Sequence, residues 1–117
     1  MKMTATSKGI REDHSIDPKF SSIVDAFAAD RDVKYGRLMA SVGLKVKGKI
    51  FAMLVGGRLV VKLPRLRVTE LVHAGDGEYF DPRRDGRLMK EWLVLTGETT
   101  TWVELAKEAY QFVRSRT

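Results

Sequence analysis

Residues that commonly bind metals or move protons at neutral pH are scarce in this chain. Its only histidines are His14 and His73, and it has no cysteine. Neither histidine has a second ligand-type residue at the short spacing that zinc sites use. The lack of thiols excludes disulfides, thiolate metal sites and cysteine nucleophiles. We therefore expect neither a metal nor a cofactor.

A run of acidic residues between two predicted elements could suggest a calcium site. It comprises Asp76, Glu78, Asp81 and Asp85. Calcium loops of the EF-hand type place their carboxylates and one glycine at fixed offsets. The glycine and proline of this run fall at other offsets, and two arginines interrupt it. The pattern favours a solvated loop.

Residues for covalent or acid–base catalysis also lack the required context. No serine lies in the strand–turn–helix sequence that presents a nucleophile. Lys90 and Glu91 are neighbours on a predicted strand, so their side chains point to opposite faces. We expect a protein that is not an enzyme. An enzyme whose site the sequence does not reveal is the last of three functional hypotheses, after a protein-binding module and a nucleic-acid-binding module.

Positive charge is concentrated in the middle of the chain. Of a net charge of +6, the whole excess lies in residues 33–67, which hold nine basic residues and no acidic one. Such a segment can attract polyanions, or it can keep the edge of a sheet soluble. The candidate polyanion contacts are Lys45, Lys47, Lys49, Arg58 and Lys62. Because strand neighbours point to opposite faces, we expect nucleic-acid binding to be weak and non-specific at most.

The elements that position these residues follow from periodicity and turn signals. Asp17-Pro18 opens a helix that we expect to end near Arg31. Strands are predicted at 39–46, 49–55 and 58–63, followed by a short helix after Pro64, a strand at 88–95 paired with a short one at 79–80, and a last helix. Thr101 and Glu104 form a capping box for that last helix. The fold class is α+β, a two-layer domain with an antiparallel sheet and the element order α-β-β-β-α-β-β-α.

The central hairpin predicts a face for each side chain. If Gly56-Gly57 is a two-residue turn, Leu54 opposes Leu59 and Ala52 opposes Val61 on one apolar face. The helices are expected to cover this face. The opposite face then combines apolar and basic groups, and it forms a candidate surface for a protein partner, consisting of Phe51, Met53, Val55 and Val60.

The chain length of 117 residues predicts one domain. Residues 1–16 show no periodicity and are predicted to form a disordered tail, and residues 17–117 a single domain. No apolar run approaches the ~20 residues of a membrane span, and the N-terminus lacks the apolar core of a secretory signal. We expect a cytoplasmic protein without membrane contact.

Several segments together resemble the N-terminal domain of TfoX/Sxy proteins. The similar runs are 35–44, 48–53, 57–63, 86–92 and the closing helix 102–113. The match rests on their order and spacing across about residues 18–115. Family members usually carry a Met-Phe-Gly-Gly type run where this chain has Leu38-Met39-Ala40-Ser41.

The resemblance implies a two-layer fold with an antiparallel sheet and no agreed catalytic residues. In the namesake regulators a second, C-terminal domain follows this one and the protein promotes natural competence. The given sequence ends with the first domain, so we do not expect that role to carry over directly. The first hypothesis is a regulatory or adaptor module that binds a protein partner, with a homodimer as one possibility. The second is a weak nucleic-acid-binding module that uses the basic hairpins.

Overall fold

Three helices and six strands make up the described part of the chain. The computed structural model describes residues 18–38, 41–81, 86, 89–96 and 102–116. Their order is α1 (Pro18–Ala26), β1 (Val33–Leu38), β2 (Ser41–Val46), β3 (Lys49–Val55), β4 (Arg58–Lys62), α2 (Arg65–His73), β5 (Gly77–Phe80), β6 (Met89–Leu95) and α3 (Trp102–Ser115).

All six strands form one antiparallel sheet in the order β1-β2-β3-β4-β6-β5. Two-residue turns join β2 to β3 and β3 to β4. Gly56 and Gly57 have φ values of 58° and 80°, and Lys47 and Gly48 have 52° and 80°. Two consecutive positive φ values match the twist of the flanking strands, which is why such turns close tight hairpins. The predicted turn at Gly56-Gly57 is confirmed, and Leu54 opposes Leu59 as expected.

A β-bulge interrupts the pairing of β2 with β3. Leu44 opposes Ala52, but the next pair is Lys45 with Ile50, so Phe51 has no partner on β2. Its ring instead packs against Phe27 and Tyr110, with centroids 5.2 and 5.6 Å away. A bulge inserts one residue and shifts the alternation of side chains beyond it. Phe51 therefore lies on the helical side of the sheet, together with Ala52.

The core lies between the sheet and the helices. Helix α3 packs across β2, β3 and β4, α1 packs against α3, and α2 packs against β5 and β6. The apolar face of α3 is buried as its periodicity predicts, and Trp102 belongs to it. Buried residues of all three helices join one cluster with residues of the sheet, among them Leu59 and Val61. This arrangement confirms the α+β class with an antiparallel sheet.

The first helix, the fifth strand and one additional strand differ from the prediction. Strand β5 begins at Gly77, two residues before the predicted start. Helix α1 ends at Ala26 rather than near Arg31, because the chain turns there and the Asp30 carboxylate accepts a hydrogen bond from the N–H of Asp32 at 2.9 Å. Strand β1 was not predicted, which makes the observed order α-β-β-β-β-α-β-β-α. Its apolar signal is weak, since Gly36 takes one position of the strand and glycine is depleted in strands.

Replacement of Gly77 by alanine should destabilise the protein by about 1–3 kcal/mol, because the space beside it is filled. A Cβ there would lie 2.6 Å from the carbonyl oxygen of Val94 and 2.7 Å from the Leu93 side chain. Gly36 is the matched control, since a Cβ at that position meets nothing within 4 Å. Urea unfolding of Gly77→Ala and Gly36→Ala measures the difference. Equal stability of the two variants would contradict the close approach of β5 to β6.

Candidate anion-binding groove

Three of the five predicted polyanion contacts meet at one end of the sheet. Strand β2 ends and β3 begins there, β4 ends there, and Trp92 of β6 lies opposite Lys62. The last turn of α3 reaches the same end and brings Arg116 to it. Together these elements enclose a groove of about 380 Å³, which is lined by Lys45, Gly48, Lys49, Ile50, Lys62, Trp92, Val113 and Arg116.

The electrostatics of this groove are one-sided. Among the described residues, four cationic side chains line it and no carboxylate does. One carboxylate lies beside it: Glu91 Oε1 is 3.9 Å from Lys62 Nζ, and Glu91 Oε2 is 3.3 Å from Arg116 Nη1. Glu91 thus bridges two of the cations and holds them at the groove, yet the cations still outnumber the carboxylates by three. Concave surfaces of one charge raise the local concentration of ligands of the opposite charge.

Two of the groove lysines have no neutralising partner within the described part of the chain. Lys45 lies near the end of β2 and Lys49 begins β3, and neither forms an ion pair with a described residue. Lysine ammonium groups are compact point charges on flexible stems, which suits contact with phosphate groups in several geometries. These two side chains are therefore the most available positive charges of the groove.

The other two predicted contacts lie outside the groove lining. Lys47 is exposed in the turn between β2 and β3, next to Gly48. Arg58 begins β4, so it lies about 13 Å along the strand from Lys62 at the usual rise per residue. There it forms an ion pair with Glu78 at 3.8 Å. The sequence did not distinguish Lys47 and Arg58 from the three groove lysines, because the charge of a residue does not show at which end of the sheet a binding site forms.

Sequence reasoning missed Arg116 and Trp92 as groove residues. Both are distant in the chain from the basic segment, and only the antiparallel pairing of β4 with β6 and the docking of α3 bring them to it. The order of elements does indicate that some residue of a neighbouring strand lies beside the basic segment, since any strand paired with β4 places a residue opposite Lys62. The identity of that residue required the register.

The predicted protein-partner surface requires correction. Phe51 and Val60 are both completely buried, and Phe51 lies on the helical side because of the bulge. Strict alternation along β3 had assigned it to the opposite face. Met53 and Val55 are half-buried, and only they retain accessible surface. The surface that sequence reasoning proposed is therefore smaller than expected and lacks its aromatic residue.

A second polar cluster ties α1 to α3. The Tyr110 hydroxyl donates a hydrogen bond to Asp30 Oδ2 at 2.6 Å, and Arg114 donates one to the same hydroxyl oxygen. The hydrogen bond from Tyr110 lowers the pKa of Asp30, and the Asp30 carboxylate in turn raises the pKa of Tyr110. Both shifts keep the tyrosine protonated and the aspartate ionised, which suits a fixed structural contact. This cluster holds the turn after α1 in place.

The candidate metal residues have no metal-binding arrangement within the described ranges. No group of three or more His, Cys, Asp or Glu side chains there is placed to hold an ion. His73 lies exposed in the last turn of α2, as its position in the sequence predicts. His14, Asp85 and Thr101 lie outside the described residues. No helix in the described part of the chain is long and apolar enough to cross a membrane.

Comparison with known proteins gives no assignment for this chain: no protein-family model matches it, and neither does any curated protein. The resemblance to the TfoX/Sxy N-terminal domain therefore stays a prediction. The groove itself is the feature on which a function can be argued.

Proposed function

We propose that the chain is a non-enzymatic binding module whose ligand is a phosphate-bearing polyanion, held in the basic groove. The observation that carries this proposal is the lining of the groove, where the described residues include four cations and no carboxylate. A site for a small neutral molecule would be mainly apolar with a few fixed polar groups. The groove has the opposite balance, and this balance favours a ligand that is bound chiefly by its charge.

The module is proposed to act in regulation or as an adaptor, as the resemblance to TfoX/Sxy proteins implies. Contact with a protein partner is a second proposal, and it rests on the sheet face opposite the helices. All three helices of the described chain join the core on one side of the sheet, and Met53 and Val55 lie on the other side, half-buried. A homodimer and a different protein partner both stay predictions for this face.

Binding of inorganic polyphosphate tests the charge-based proposal without any contribution from bases. Four phosphate contacts predict that log affinity falls by about 3 for each tenfold rise in salt concentration. Calorimetric titrations between about 50 mM and 200 mM salt give this slope directly. Binding that is absent at the lowest salt, or that does not change with salt, would contradict the proposed function.

A further inference from the structure

Further cationic side chains lie next to the basic groove. A second groove of about 470 Å³ adjoins the first and is lined by Lys62, Arg65, Met89, Lys90, Glu91 and Trp92. Lys62 and Trp92 belong to both linings. The two grooves are therefore one path along the end of the sheet, with cations on both sides of a shared tryptophan. A path of this kind suits a chain of phosphates better than one isolated phosphate group.

Trp92 gives this path an aromatic ring, on which a planar group of a ligand can stack. Its side chain is half-buried, and the Lys62 ammonium lies 5.5 Å from the centre of its ring. Proteins that bind single-stranded nucleic acids without sequence preference combine a basic groove along the backbone with aromatic side chains on which bases stack. The combination of Trp92 with Lys45, Lys49 and Lys62 has both features.

We propose that the polyanion is single-stranded nucleic acid, with one base stacked on Trp92 and the flanking phosphates contacted by lysines of the two grooves. This inference rests on the proposed function and adds the substrate class to it. A duplex fits less well, because its bases are stacked on each other and sequence-specific duplex readers insert a helix or a β-ribbon into a groove of the DNA. Here the protein offers a recess, whose volume suits a group of small-molecule size.

The fluorescence of Trp92 reports this contact. The chain has two tryptophans, and Trp102 is buried in the core with 3 % of its surface exposed. A Trp102→Phe variant therefore leaves Trp92 as the only tryptophan. Three probes separate the possible ligands: an oligothymidine single strand, a duplex of equal phosphate count, and inorganic polyphosphate.

The single strand is expected to bind about tenfold more tightly than polyphosphate and to quench Trp92, because base–aromatic stacking adds to the phosphate contacts. The duplex is expected to bind with polyphosphate-like affinity and without quenching. Equal affinities for all three probes with no quenching would leave the charge-based function intact and overturn the single-strand inference. Failure of all three probes to bind would overturn both. Tighter binding of the duplex would also overturn the inference.

Two variants at position 92 complete the test. Trp92→Phe retains an aromatic ring and should retain most of the preference for the single strand, whereas Trp92→Leu should lose it. Circular dichroism shows whether both variants are folded, and the quantity compared is the ratio of single-strand to polyphosphate affinity within each variant. A folded Trp92→Leu variant that still prefers the single strand to polyphosphate tenfold would contradict the stacking contact.

Discussion

Replacement of Phe51 by alanine is expected to destabilise the protein by about 3–5 kcal/mol, the usual range for deleting a buried aromatic ring. The ring is completely buried and contacts Phe27 and Tyr110, which bring α1 and α3 together over the sheet. Aromatic pairs of this kind add about 0.5–1.5 kcal/mol beyond the area that they bury. Urea denaturation followed by circular dichroism measures the loss.

Met53 provides the control for Phe51, because it lies two residues further along the same strand. Unlike Phe51, it has a partner on β2, Gly43. It is half-buried on the face opposite the helices. Met53→Ala should cost about 1 kcal/mol or less, as substitutions outside the core usually do. Similar losses for the two variants would contradict the bulge, since strict alternation places Phe51 and Met53 on one face.

The turns and the central register could be predicted because their signals are local. Glycine pairs tolerate positive φ, and the alternation around Gly56-Gly57 leaves one register that groups Leu54 with Leu59. The buried face of α3 follows from helical spacing in the same way. In each case a few adjacent residues carry enough information.

The bulge at Phe51 could not be predicted from local pattern. Every residue from Ile50 to Val55 is apolar, so β3 shows no alternation that a shift could interrupt. The position of the extra residue is set by partners far along the chain, Phe27 on one side and Tyr110 on the other. A strand that is apolar on both faces leaves the direction of each side chain to tertiary packing.

The sequence predicts only part of the candidate site, because tertiary packing also decides which distant residues complete it. A count of charges identified the basic segment, and three of its lysines do line the groove. The residues that complete it come from β6 and from the end of α3, and Glu91, which bridges Lys62 and Arg116, follows from no motif. Arg58 shows the converse, since it belongs to the same basic segment but pairs with Glu78 elsewhere.

Removal of two positive charges from the groove is expected to weaken polyanion binding far more than their removal elsewhere. Lys45→Ala/Lys49→Ala deletes the two groove lysines that have no ion-pair partner within the described part of the chain. Loss of two phosphate contacts should make the slope of log affinity against log salt shallower by about 1.4–1.8. On that relation, extrapolated from 1 M salt, affinity near 50 mM salt should fall on the order of a hundredfold.

Arg31→Ala/Lys107→Ala is the matched control. Both residues are exposed and lie at a different surface, beside the contact of α1 with α3. The control changes the net charge by the same amount, so a loss caused by net charge alone affects both variants equally.

The most direct test of the basic groove is therefore the salt dependence of polyphosphate binding by the wild type, Lys45→Ala/Lys49→Ala and Arg31→Ala/Lys107→Ala, measured side by side. The groove predicts a shallower slope and a large loss of affinity for the first variant, with a slope close to the wild type for the second. Equal slopes for the two variants, or wild-type affinity in Lys45→Ala/Lys49→Ala, would contradict it.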